Sequence, residues 1–95
     1  MSPRKKYEVR IMPHATGSLK KLRRDRELLE RIDREIQSLA KNPLPQGCKK
    51  LRSSKHDHLY RLRMGDWRIL YAIEDDKLIV LILTVVRRDH AYIEI

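Results

Sequence analysis

The chain has 95 residues, with 22 Lys and Arg against 13 Asp and Glu, for a formal net charge of +9 with the histidines neutral. That length allows one small domain over residues 1–95 and excludes a multidomain enzyme, while a 41% hydrophobic content supports a core and argues against wholesale disorder. So small a core leaves little net stability to spare for a bulky cofactor cavity, and no cofactor is expected. The single cysteine, Cys48, cannot form an internal disulfide, which favours a reducing, cytoplasmic setting. The most apolar run, residues 78–86, is too short to span a membrane as a helix. The basic N-terminus, Met1-Ser2-Pro3-Arg4-Lys5-Lys6, leads into no apolar signal region.

In chain order, residues 7–11 alternate apolar and charged side chains and read as a half-buried strand. Pro13 opens a short helix directing Ala15, Leu19 and Leu22 to the core, with Gly17 a weak point because glycine disfavours helix. A second, stronger helix is expected over 27–41, with Leu28, Leu29, Ile32, Ile36, Leu39 and Ala40 in one stripe. Asn42-Pro43 stops it, so the two helices form a hairpin. A basic loop from Lys49 to His58 follows. The period then changes to two: strands over 59–64 and 67–74 flank Gly65-Asp66, a glycine-first pair suited to a type II′ turn. After a tight turn at Asp75-Asp76, residues 78–86 are apolar on both faces and read as a central strand. The expected fold is α+β: an N-terminal strand, a two-helix hairpin and a three-strand antiparallel meander, with the helices on one sheet face.

The charge is unevenly placed. Residues 1–26 carry nine Lys or Arg against two acids, and residues 48–68 carry seven against two. Clustered cations suggest a polyanion footprint rather than a uniformly solvated surface. With Gly65-Asp66 as the turn, Met64 faces Trp67, Leu62 faces Ile69 and Tyr60 faces Tyr71, so this set belongs under the helices. Arg61 and Arg63 then share the other face, with Arg68 directly across from Arg63 and with Leu70, Leu81 and Leu83 nearby. Directly opposed like charges destabilise a sheet, and such a broken rule marks a place where function is expected. Convergent guanidiniums suit a phosphate whose charge grows during reaction. The alternative is that they meet Asp57, Asp66 or Glu94, or reach into water.

The stretch Leu59-Tyr60-Arg61-Leu62-Arg63-Met64-Gly65-Asp66-Trp67-Arg68-Ile69-Leu70-Tyr71 resembles the meander of RelE-type toxins of prokaryotic toxin–antitoxin pairs. The likeness continues through Ala72-Ile73-Glu74-Asp75-Asp76 and ends on Arg87-Arg88-Asp89-His90-Ala91-Tyr92, while the N-terminal half is more generic. The resemblance implies a RelE-like fold and a ribosome-dependent endoribonuclease that cuts mRNA and is silenced by a cognate antitoxin. It implies a site made of Arg61, Arg63, Arg68, Arg88 and Tyr92. Some members carry lysine where this chain has Arg61 and Arg63; arginine cannot give up its proton, so neither residue serves here as a general base. The chain ends at Ile95, so any longer C-terminal helix of relatives is expected to be absent or reduced.

His14, His56, His58 and His90 form no recognised metal-ligand spacing, and no metal is expected. Without one, the feasible cleavage is attack of the RNA 2′-hydroxyl on its own phosphate, with the arginines stabilising phosphoryl charge. For proton transfer the resemblance points to Tyr92, beside Arg87 and Arg88, which could alternatively stack on a base. His90 is the second candidate, since imidazole titrates near neutrality. Lys49, Lys50, Arg52, Lys55 and Arg87 are candidate contacts to ribosomal RNA or mRNA, or else solvated surface. The expected partners are therefore an antitoxin, the ribosome and mRNA, with no membrane. Two other readings stay open: a ParE-like toxin that binds DNA gyrase without nuclease activity, and a catalytically silent RNA-binding protein.

Overall fold

The turn at Gly65-Asp66 sets the register of the sheet. Gly65 lies at φ 57 and Leu78 is the only non-glycine residue at positive φ among the described residues, so Asp66 has negative φ, matching the φ signs of a type II′ turn. The strands joined by this turn, β3 (Leu59–Met64) and β4 (Trp67–Glu74), pair Met64 with Trp67, Arg63 with Arg68, Leu62 with Ile69 and Tyr60 with Tyr71, as the sequence predicts. The computed structural model describes residues 6–52 and 58–88.

Around that hairpin lie β1 (Glu8–Ile11), α1 (Pro13–Lys20), α2 (Arg26–Ser38), β2 (Cys48–Leu51) and β5 (Ile79–Arg87). The order across the five-stranded sheet is β1-β5-β4-β3-β2, with β1 parallel to β5 and the other pairs antiparallel. The fold is α+β, and the apolar last strand is central, as expected from side chains that are buried on both faces.

Several boundaries differ from the sequence expectation. Residues 49–51, read as the start of a basic loop, form with Cys48 an edge strand antiparallel to β3. Only Cys48 and Leu51 are apolar there, too few to show a period. Leu78, read as the first residue of the last strand, adopts a left-handed conformation at φ 55 and ψ 47. There it closes the 3-10 turn Asp75–Lys77, its N–H donating to the Asp75 carbonyl at 3.2 Å.

The helices cover one face of the sheet. Pro13 occupies the first turn of α1, where its missing N–H leaves no helical bond unmade. Asp25 caps α2, its carboxylate accepting from Leu28 N at 3.2 Å. Ile32 and Ile36, one turn apart, are fully buried in a cluster with Leu62, Met64, Ile69, Tyr71, Val80 and Ile82. α2 ends at Ser38 rather than near Lys41, because the chain tightens: Leu39, Ala40 and Lys41 donate to carbonyls three residues back. Tyr7 joins both ends of the core, its N–H bonding Ala40 O at 2.7 Å and its hydroxyl donating to Asp75.

The β4–β5 ladder carries one irregularity. Leu70 pairs with Thr84, but the next residue, Tyr71, pairs with Ile82, leaving Leu83 as an extra residue in a β-bulge. Beyond it Val85 faces Ile69, Val86 faces Arg68 and Arg87 faces Trp67.

Candidate functional site

Cross-strand partners share a sheet face, so the ladders arrange the face away from the helices in rows. One row runs Leu51, Leu59, Ala72, Leu81; the next runs Lys49, Arg61, Leu70, Thr84; the third runs Arg63, Arg68, Val86. The basic residues thus occupy neighbouring positions at the end of the sheet that carries the Gly65-Asp66 turn. Two like-charge pairs stand directly opposed: Arg63 with Arg68, and Lys49 with Arg61. The second pair was not visible in the sequence, because it depends on β2. Its only trace there was the pair Cys48 and Leu51, which take up positions opposite Leu62 and Leu59.

The arginines differ in their surroundings. Arg63 is exposed and Arg61 half-buried, whereas Arg68 is only 6% exposed. One guanidinium nitrogen of Arg68, Nη1, donates to both Gly65 O and Trp67 O at 3.0 Å. Arg68 therefore braces the turn from within, its charge held in place by main-chain dipoles. Arg88 reaches the same turn from β5: its N–H donates to Asp66 O at 2.7 Å, and its Nε lies 3.9 Å from Asp66 Oδ1. Both Arg88 and Asp66 are exposed, so this ion pair contributes little energy and leaves the guanidinium accessible.

Of the other candidate contacts, Lys49 belongs to the arginine face. Lys50 pairs with Tyr60 and so shares the side of Leu62, away from that cluster, and Arg52 is exposed just past β2. Arg87 pairs with Trp67 and stacks over its ring, 5.9 Å from the centroid, on the helix side. His90, Tyr92 and Lys55 lie outside the described residues. The aromatic set behaves as core: Tyr60 and Tyr71 stack at 5.8 Å, and the buried Tyr71 hydroxyl donates to Pro43 O at 2.7 Å. Burial pushes the Tyr71 phenol well above its ordinary range. Leu70, expected in an apolar patch beside the arginines, is fully buried, while Leu81 and Leu83 are half-buried. Among the described residues, no three His, Cys, Asp or Glu side chains gather as metal ligands, and no helix is long and apolar enough to cross a membrane.

Clustered guanidiniums and one lysine on a sheet face, two of them at a braced turn, can hold a phosphate and stabilise charge developing on it. Comparison with known proteins places the chain in a family. Residues 9–92 match the family described as the ParE toxin of type II toxin–antitoxin systems. A Methanocaldococcus jannaschii protein named for the RelE toxins, RelE1, is 32% identical over 90 residues, covering 92% of this chain and 96% of that protein. A chain of the Mycobacterium tuberculosis RelBE2 toxin–antitoxin complex superimposes with a TM-score of 0.76 at 28% identity, covering 95% of this chain and 100% of that one. A chain of the archaeal RelE–RelB complex from Pyrococcus horikoshii gives a TM-score of 0.67 at 28% identity, covering 90% and 99%. The chain belongs to the ParE toxin family of type II toxin–antitoxin systems, within the RelE/ParE superfamily.

Proposed function

We propose that this toxin is a ribosome-dependent, metal-free endoribonuclease that cleaves mRNA in the cytoplasm and is inhibited by a cognate antitoxin. The observation that carries this reading is the cross-strand opposition of Arg63 and Arg68, with Lys49 and Arg61 in the adjoining row and Arg88 at the same turn. Directly opposed cations gain stability once a phosphate lies between them.

In the reaction the substrate 2′-hydroxyl attacks the adjacent phosphorus, a new O–P bond forms and the 5′-oxygen leaves. The products are a 2′,3′-cyclic phosphate and a 5′-hydroxyl. Arg61, Arg63 and Arg88 bear on the phosphoryl oxygens, and Arg68 contributes charge while holding the turn. One proton leaves the 2′-hydroxyl and one is delivered to the 5′-oxygen; Tyr92 and His90 are the candidates for these transfers. The ribosome supplies the orientation of the strand, which a domain of this size cannot impose alone. Lys49, Lys50, Arg52, Lys55 and Arg87 contact RNA backbone. The two similar chains from M. tuberculosis and P. horikoshii come from complexes with antitoxins, which supports a cognate antitoxin for this toxin.

Primer extension on translated mRNA with the wild type and Arg63→Ala tests the reading. Cuts within codons that vanish in the variant are expected; a wild type that produces no cuts overturns it. The ParE family match favours a second reading, a toxin that binds DNA gyrase without cleaving RNA. Inhibition of gyrase supercoiling by a protein that leaves mRNA intact selects that one.

A further inference from the structure

On the helix side of the same sheet end, two clefts meet. One, of about 390 Å³, lies between α1 and the ends of β4 and β5 and is lined by His14, Gly17, Leu22, Trp67, Val85 and Arg87. The other, of about 550 Å³, is bordered by Lys21, Arg24, Leu28 and Arg31 together with Trp67 and Arg87. Both include Lys21, Leu22, Trp67 and Arg87, so they form one groove with an indole at its centre. Four cations line it against two acids, Asp25 and Glu27, and Asp25 already serves as the cap of α2.

Gly17 leaves one wall of the groove open. It sits inside α1 with an ordinary backbone conformation, and a Cβ added there would meet nothing within 4 Å. Neither packing nor dihedral angles call for glycine, which weakens a helix relative to alanine. What glycine does provide is a low wall and an open backbone against which a ligand can lie.

Position identifies the occupant. Trp67 and Arg87 are cross-strand partners, and each immediately precedes an arginine, Arg68 or Arg88, of the face described above. A strand with its phosphate among Arg63, Arg68 and Arg88 would pass over the sheet end directly into the groove. We propose that this groove binds single-stranded RNA, with one base stacked on Trp67 and the flanking phosphates on Lys21, Arg24 and Arg31. Aromatic platforms set among cations take bases of any sequence. The continuity of the strand rests on the nuclease reading; the groove itself is testable without it.

Trp67 is the only tryptophan, so its fluorescence reports on the groove. The test titrates the full chain with a 2′-O-methyl oligoribonucleotide, which cannot supply the attacking hydroxyl, and reads Trp67 quenching together with anisotropy of a labelled copy. Saturable quenching is expected, weakening as salt rises. Each phosphate contact removed by Lys21→Ala or Arg24→Ala should lower the slope of log affinity against log salt by about 0.7. Gly17→Leu fills the groove and should weaken binding about tenfold, the worth of one base stack. Gly17→Ala, which raises the groove wall by one methyl, should weaken binding less than Gly17→Leu does. Both replacements favour helix over glycine, so a loss of binding in the leucine variant is not a loss of folding. RNA that binds without quenching Trp67, or that binds the leucine variant equally well, overturns the proposal. So does a poly-glutamate peptide that quenches where RNA does not, which would assign the groove to an acidic polypeptide. Arg63-dependent mRNA cuts that persist in such a case leave the nuclease reading standing.

Discussion

Arg63 and Arg68 stand directly opposite one another on β3 and β4, yet one is exposed and the other is buried against the carbonyls of the turn between them. The pair divides its work. Arg68→Ala removes two hydrogen bonds from a charged donor and should destabilise the fold by about 2 kcal/mol. Arg63→Ala relieves a repulsion at a solvated position and should change stability by no more than about 0.5 kcal/mol. Urea unfolding of both variants checks this, and equal losses would show that exposure does not separate the two roles.

If Arg63 serves substrate and Arg68 serves both substrate and turn, Arg68→Lys should recover part of the cleavage lost in Arg68→Ala. Lysine keeps the charge but cannot reproduce the guanidinium fork. Cut frequencies on translated mRNA, normalised to folded protein, give the comparison. A lysine variant as stable as the wild type but fully inactive would point to a bidentate phosphate contact.

Gly65 holds φ 57 at the first central position of the turn. A side chain there has open space around it but the wrong handedness, so Gly65→Ala should lower stability by about 1–2 kcal/mol through backbone strain alone. The urea midpoint should fall with the m-value unchanged. A changed m-value would mean that the hairpin had adopted another register.

Tyr71→Phe leaves the Pro43 carbonyl without its 2.7 Å donor while keeping the ring in the core. A cost of about 1 kcal/mol is expected. Because Pro43 follows α2 in the chain, increased amide exchange at the end of that helix should accompany the loss.

Alkaline pH should destabilise the protein through its tyrosines. The Tyr7 phenol is raised above its ordinary value of 10.0, first by its hydrogen bond to Asp75 and then by burial; Tyr71 is raised chiefly by burial. Both keep their protons in the folded chain after the unfolded chain has begun to lose them. Their contribution is therefore complete below pH 10 and is lost as pH rises through the folded values. Unfolding free energy measured from about pH 8 to 11.5 should fall at the upper end. A Tyr7→Phe, Tyr71→Phe variant, though less stable at pH 8, should fall less steeply.

Much of the sheet was legible because two residues fixed it. Once Gly65-Asp66 is a two-residue turn, every pair from Met64–Trp67 to Tyr60–Tyr71 follows, and so does the opposition of Arg63 and Arg68. The central position of the last strand followed from its unbroken apolarity. The edge strand β2 was hidden because its pairing partner, rather than its own composition, makes it a strand; with it was hidden the place of Lys49 opposite Arg61. The bracing of the turn by Arg68 was equally hidden, since carbonyl acceptors are the same in every residue.

The extra residue at Leu83 decides which of two consecutive cations serves which ligand. Strict alternation from Ile82 would carry Thr84, Val86 and Arg88 to the helix side and put Arg87 beside Arg68. One inserted residue reverses that parity, sending Arg87 to Trp67 and leaving Arg88 to the turn. A ladder that took up Leu83 as an ordinary paired residue would exchange the two arginines between opposite sides of the sheet with the sequence, and so the charge, unchanged, whereas deletion of Leu83 would only straighten the ladder and leave both where they are.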